Sequence, residues 1–273
     1  MSDDLWEVYT IKYAERNERT RADSFLFDDD HASPHDMDYF IWVLMNGDRA
    51  ILVDTGYDEG EALSRGRPIL RNPAKAIEAL GLTPADIDTV IITHLHYDHA
   101  GGLAHFPNAV FHLQESEMAF ATGPCMCSGV MRMPFSANHI CEMVKNVFSG
   151  RVVFHAGEGF VADGVTVHHV GGHSRGLQAV RVKTEAGYLC LASDAAHYYE
   201  NFIAEKPFPI VVDMEDMARG FDRIQRLATR RELVIPGHDP LITRTFPTHG
   251  TSGFVWRMDL PLTDLRFLEM ERY

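Results

Sequence analysis

Apolar positions fall along this chain in short runs, some alternating with polar residues and some unbroken, and most are too short to be helices. Residues 6–13 partly alternate polar with apolar and predict a strand. Residues 39–45 and 50–53 are two apolar runs around Asn46-Gly47-Asp48, a hairpin signal. Asn72-Pro73 offers a helix cap and first position and Gly81 a stop, so a helix is expected over 73–80. The β-branched run Thr89-Val90-Ile91-Ile92-Thr93 predicts a buried strand. Residues 109–113 predict another, followed by a helical segment at 114–121. Strand patterns return at 151–154, 165–170, 177–183 and 188–192. Met217, Phe221, Ile224 and Leu227 mark an amphipathic helix over 215–229, and 232–235 predicts a last buried strand. The alternation of strands and helices in both halves allows a two-fold duplication of a βα unit.

Two stretches break the pattern. Residues 15–36 are polar and rich in Asp, Arg and His, and read as a long loop in which Phe25-Leu26-Phe27 could fold over a pocket. Residues 122–150 carry Gly123-Pro124, Gly129 and Pro134 among Met and Phe, and read as an insertion over a site. His31 and His35, and the pair Cys125 and Cys127, are weak candidates for metal ligation.

A chain of 273 residues at 45% hydrophobic content can bury a full core, and one domain over 1–273 is expected. The formal charge of -14 disfavours nucleic acid and anionic membranes as partners. The acidic start Met1-Ser2-Asp3-Asp4 lacks a signal-peptide pattern, and the cysteines form no CxxC pair, so a reducing cytoplasm is the expected home. A homodimer is left open.

The chemistry gathers at predicted strand tips. His94-Leu95-His96-Tyr97-Asp98-His99 follows the buried strand at 89–93, placing three histidines and an aspartate within six residues. Residues two apart point to the same side of a strand, so His94 and His96 can grip one ion, with Asp98 and His99 reaching a second. Imidazole with carboxylate suits zinc, iron, manganese or cobalt. Three more tips carry ligand types: Gly172-His173, Ser193-Asp194 and Gly237-His238. Sites in α/β sheets gather at the carboxyl ends of strands, so four such tips in one chain reinforce one another.

The order HxHxDH, Gly-His, Asp, Gly-His resembles the metallo-β-lactamase superfamily, from Asp54 to His238. The resemblance implies a four-layer αββα sandwich, two face-to-face sheets with helices outside. It implies two divalent ions, zinc first: one held by His94, His96 and His173, the other by Asp98, His99 and His238, with Asp194 bridging. Asp54 matches the aspartate that supports the metal histidines from behind.

Within the superfamily the chain is most similar to the N-acyl homoserine lactone lactonases. The implied reaction is lactone ring opening by a metal-bridging hydroxide, with Asp98 or Asp194 carrying the proton to the leaving oxygen. The Met- and Phe-rich segments 118–148 and 25–40 would cover an acyl chain. Those lactonases place a tyrosine three residues past the bridging aspartate, where it meets the substrate carbonyl; here His197 stands there and Tyr198 follows. Tyr198 is the chemically steadier donor, because a tyrosine stays neutral to about pH 10. A glyoxalase II-like thioesterase is the runner-up, although only the 35 residues 239–273 follow His238 for its C-terminal helical region. A non-catalytic metal-binding effector is the third reading.

Overall fold

The structure, a computed structural model, describes residues 5–262. The start at 1–4 and the final 263–273 lie outside the described residues. Among the described residues, twelve strands make two sheets. The larger holds β1 (Glu7–Arg16), β2 (Met37–Asn46), β3 (Arg49–Val53), β4 (Thr89–Ile91), β5 (Val110–Gln114), β6 (Val152–His155) and β12 (Val255–Arg257). The smaller holds β7 (Glu158–Ala162), β8 (Val165–His169), β9 (Gln178–Thr184), β10 (Gly187–Ser193) and β11 (Val234–Pro236). Their orders are β12-β1-β2-β3-β4-β5-β6 and β11-β10-β9-β8-β7.

The period of two along β2 builds the layers. Phe40, Trp42 and Leu44 pack inward against Val165, Val167 and Val180 of the smaller sheet. Tyr39, Ile41 and Val43 face the other way, in a second core with Ile77, Phe120, Ile140 and Met143 from the outer helical segments. Met217, Phe221 and Ile224 of the helix Met214–Leu227 join the first core from the far side of the smaller sheet. The result is the expected four-layer αββα sandwich.

The sheets are also joined by polar groups. Gln178 Nε2 donates to the carbonyls of Ile92 (2.8 Å) and His112 (3.2 Å), and its backbone N–H donates to Thr93 (3.0 Å). This ties β9 to the end of β4 at the base of the His-rich turn.

Strand directions put every candidate ligand on one rim. β3 and β4 run parallel, and so do β10 and β11. β8 and β10 share a direction because each is antiparallel to β9. Asp54, His94–His99, His173, Asp194 and His238 therefore all lie at or beyond carboxyl ends.

Several elements depart from expectation. Residues 122–150 hold the helix Ala137–Phe148, whose buried face mixes Ile140 and Met143 with His139 and Asn146 and so hides its apolar stripe. The helix Glu59–Arg65 starts on an Asp58 cap and ends at left-handed Gly66. β7 is a half-exposed edge strand and β12 only three residues long, both too weak to read from pattern. The loop 15–36 contains the last residues of β1 and a helical turn at Arg21–Ser24.

His112 on β5 and His155 on β6 stack at 5.2 Å with Nδ1 and Nε2 2.9 Å apart, so one ring donates to the other. Burial pushes His112 down to about 4, with His155 beside it adding to the effect; burial also lowers His155. Below about pH 6.5 the unfolded chain binds protons the folded pair refuses, so stability is lost as pH falls. Between pH 7 and about 4.5, wild type should lose roughly 1–2 kcal/mol more than His112→Gln, each pKa unit being worth about 1.4. Urea denaturation of both proteins at the two pH values checks this.

Candidate metal centre

The turn after β4 places His94 and His96 with rings 4.4 Å apart, as their spacing requires. His173 joins them, at 5.0 Å from His94 and 4.6 Å from His96. His99 and His238 stand across from this group, 5.7 Å from each other. Asp194 lies between the two. Its Oδ2 is 3.2 Å from His173 Nε2 and 3.9 Å from His94 Nε2, while its Oδ1 is 3.3 Å from His99 Nε2 and 3.1 Å from His238 Nε2. Asp98 Oδ2 is 3.9 Å from both His99 Nε2 and His238 Nε2. One carboxylate thus presents an oxygen to each imidazole set. The ligand atoms of His94, His96 and His173 lie within 4.8 Å of one another, as do those of Asp98, His99 and His238.

Proton positions are set from behind. His99 Nδ1 donates to Asp54 Oδ2 (2.7 Å), His173 Nδ1 to the carbonyl of Ile210 (2.7 Å), and His238 Nδ1 to the carbonyl of Asp38 (2.8 Å). Rings held by Nδ1 from behind turn their Nε2 atoms to the centre. Asp54 also accepts from Thr93 N and Thr93 Oγ1, both at 2.8 Å, which holds the root of the His-rich turn. Gly237 is required by contact: a Cβ there would lie 2.6 Å from Asp194 Oδ1.

The donor set fits divalent metal. His94 Nε2, His99 Nε2, His173 Nε2 and Asp194 Oδ1 are buried without a hydrogen-bond partner, an arrangement that is costly unless a cation satisfies them. Burial, followed by neighbouring imidazoles, drives His94 and His96 well below the usual histidine range. Burial opposes charge on His99 and His238 too, but Asp194 and the nearby carboxylates outweigh it and raise both. The pocket attracts positive charge.

His197 and Tyr198 part company. His197 Nε2 is 3.0 Å from Asp194 Oδ2, its ring stacks 3.9 Å from Phe208, and it lines the cavity above the centre. Tyr198 has extended backbone (φ -130°, ψ 156°) and caps the short helix Tyr199–Ile203. Its side chain takes the opposite direction, its hydroxyl 3.4 Å from Ser24 Oγ and its ring 5.7 Å from Phe25, facing a separate cavity with Pro34 and Arg244. Tyr198, expected as the steadier donor, thus lines that cavity and not the one above the centre.

His35 packs on Tyr198 and Phe25, His31 is exposed, and Cys125 and Cys127 are exposed free thiols. None belongs to a ligand cluster among the described residues. Phe27 is 87% exposed and lines a different cavity. From the 122–150 segment, Pro134 lines the cavity and Phe135 packs 4.6 Å from His96.

Sequence reasoning missed Glu117. This fully buried carboxylate accepts from Leu95 N (2.9 Å), between His94 and His96, and from Gly176 N (2.8 Å) and the Ser174 hydroxyl, just past His173. Burial raises its pKa, and the three donors oppose the rise. Glu117 therefore clamps two ligand-bearing turns together, and no local pattern distinguishes it from exposed Glu115.

Geometry and sequence agree on the class. Residues 38–238 match the metallo-beta-lactamase superfamily, and the chain belongs to that superfamily. It is 28% identical over 220 residues to an N-acyl homoserine lactonase of a Bacillus species, covering 75% of this chain and 82% of that relative. It is 31% identical over 168 residues to the N-acyl homoserine lactonase AttM of Agrobacterium fabrum, covering 60% of this chain and 62% of AttM. The match thus spans less than two thirds of the length of the AttM relatives. In fold, the chain resembles an N-acyl homoserine lactone hydrolase solved with N-hexanoyl-L-homoserine at its metal centre. The TM-score is 0.72 at 23% identity, over 87% of this chain and 95% of that one. The dizinc quorum-quenching lactonase AidC gives a TM-score of 0.70 at 15% identity over 97% of both chains.

Glu117→Ala leaves three buried donors without an acceptor, each costing about 1–3 kcal/mol. The variant should be destabilised by several kcal/mol in urea. Glu117→Gln, which keeps the shape and one acceptor oxygen, should be more stable than Glu117→Ala and bind metal more weakly than wild type in a competitive chelator titration. Unchanged metal affinity in Glu117→Gln would refute the clamp.

Proposed function

We propose that this chain is a metal-dependent hydrolase that opens the ring of a small lactone, with N-acyl homoserine lactones the first substrates to test. The observation that carries the reading is Asp194, one buried carboxylate whose two oxygens face two imidazole sets beneath a cavity. The named activities of the relatives support the substrate class. His94, His96 and His173 would hold one ion, Asp98, His99 and His238 a second, and Asp194 would touch both. Zinc is the first candidate and iron, manganese or cobalt the alternatives. Such a pair of ions supplies a water acidic enough to attack near neutral pH and a Lewis acid for the carbonyl.

The chain's own groups do the rest. Asp98 and Asp194 border the reacting carbonyl and can pass the proton of the attacking water to the ring oxygen as the C–O bond breaks. The product is one hydroxy acid, with no second fragment. His197 lies within reach of the same space; turned from Asp194 Oδ2, which its Nε2 faces at 3.0 Å, its Nε2–H would donate to the oxygen that gains negative charge. Phe135 and Pro134 on one side and Phe208 behind His197 keep bulk water from the centre.

Three measurements test this. Elemental analysis should find two transition ions per chain, and Asp194→Ala should retain no more than one. The zinc-loaded protein should open lactones from a panel and release a single carboxylate product; turnover of glutathione thioesters alone would move the assignment to a thioesterase, and no turnover would favour a non-catalytic metal-binding role. His197→Ala should lose about 10²-fold in kcat with both ions retained, the range for an oxyanion donor, while Tyr198→Phe should stay within about threefold.

A further inference from the structure

The cavity above the centre has about 520 Å3 of open space, and Arg16, Arg19 and Arg67 line it beside the metal-binding residues. Several arginines elsewhere are matched to carboxylates: Arg21 to Asp28 and Glu200, Arg65 to Glu61, Arg219 to Glu215, Arg230 to Glu232 and Arg257 to Asp259. Among the described residues the three cavity arginines form no such pair. Arg19 donates from Nη2 to the carbonyl of Asp23 (2.7 Å) and to Ser24 Oγ (3.3 Å), and its Nε is buried without a partner. Arg67 donates to the Tyr97 hydroxyl, and its guanidinium lies over the Tyr97 ring at 5.2 Å. Asp23 also lines the cavity, but its Oδ2 accepts from Thr20 N (2.9 Å) and Thr20 Oγ1 (3.3 Å). Asp98 and Asp194 face the imidazoles.

This arrangement runs against the charge of the chain. With 39 acidic residues to 25 basic, the field around the protein repels anions. Three guanidiniums without carboxylate partners at one cavity are then a local exception with a chemical use. A guanidinium offers a planar fork of donors that matches a carboxylate, and it binds most strongly where water is partly excluded. A neutral acyl chain would draw nothing from these donors.

We propose that the substrate carries an anionic oxygen group, a carboxylate beside the ring being the simplest, held by Arg16, Arg19 and Arg67 while its lactone or ester carbonyl lies over the ligand cluster. This rests on the lactonase reading above and narrows its substrate class. No extra reactant is needed: water adds to the carbonyl, the ring C–O bond breaks, and the second carboxylate is a spectator.

The test uses zinc-loaded protein and a matched pair: a γ-butyrolactone bearing a ring carboxylate, and the same lactone bearing the primary carboxamide. Wild type should favour the carboxylate by about tenfold or more in kcat/KM, and Arg16→Gln and Arg67→Gln should each cut that ratio about tenfold, the range for a charged hydrogen bond. Calorimetry with cyclopentanecarboxylate gives a readout independent of turnover, and its binding should weaken about tenfold in each variant while metal content and melting temperature hold. Equal turnover of both lactones, or a ratio the variants leave untouched, overturns the proposal and leaves the lactonase reading standing. If neither lactone is opened, the lactone panel decides the lactonase reading and calorimetry alone decides the anion site. Weaker binding in the variants then supports the anion site, and equal binding in all three proteins overturns it.

Discussion

The carboxylate of Asp194 is the constraint on which the rest of this structure depends. It is buried, and five imidazole nitrogens surround it, from His197 Nε2 at 3.0 Å to His94 Nε2 at 3.9 Å. A buried carboxylate costs several kcal/mol unless charge or donors compensate it. An imidazole N–H is not free to compensate it at three of the five, because His99, His173 and His238 turn Nδ1 to Asp54 and to carbonyls behind them. The opposite shifts of the histidines follow from the same conflict. Burial wins at His94 and His96, while the carboxylates win at His99 and His238. Positive charge from outside the chain, divided between two places, resolves it with the least rearrangement.

Bringing four strand ends together at one carboxylate is a demand on topology. Two sheets must meet along a rim, and their separation there must be fixed to a few tenths of an ångström. Gln178 does this from the smaller sheet, reaching Ile92, Thr93 and His112 of the larger, with Gln114 Nε2 donating to its Oε1 at 2.9 Å. Glu117 does it one layer higher, between the turns that carry His94, His96 and His173. Both are buried polar residues whose hydrogen bonds are strong because little water competes. Apolar packing alone, which is tolerant of small slides, would hold the sheets together without setting the register of the ligands.

Much of this was legible in the chain. Strand period and turn residues located β2, β3, β8, β9 and β10 within a few positions, and β2 shows why: each alternate residue serves a different core. The convergence of the candidate ligands was legible because His94, His96, Asp98 and His99 are close in sequence and strand geometry converts spacing to direction. What escaped has a common cause. Glu117 looks like any helix acid, Gln178 like any strand residue, and Arg16, Arg19 and Arg67 like loop charge. Their roles come from what the fold sets opposite them, residues 57 positions away for Glu117 and Ser174 and 86 for Gln178 and Ile92. His197 and Tyr198 differ for a local reason that spacing alone does not resolve: one residue of extended backbone reverses the side chain.

The backbone shows what the site demands of its supports. Among the described residues Asp54, Ser193 and Ile210 take left-handed conformations, with φ of 61°, 47° and 64°. Each costs a residue other than glycine on the order of 1 kcal/mol or more. All three sit beside the centre. Asp54 turns its carboxylate back onto Thr93 and His99. Ser193 ends β10 immediately before Asp194, with its hydroxyl 2.9 Å from Thr93 Oγ1. Ile210 offers its carbonyl to His173. At positions 54 and 193 the side chain is itself in use, so glycine would relieve the strain and remove the function. At 210 only the carbonyl is in use, and a β-branched residue is the least suited to that conformation. Its strain is then held by its surroundings: Val212 and Asp213 donate to Gly172 O at 2.7 and 2.9 Å, anchoring the segment against the turn that carries His173. The left-handed residues and the buried donors express one requirement, that imidazoles with fixed proton positions converge on a carboxylate the solvent does not reach.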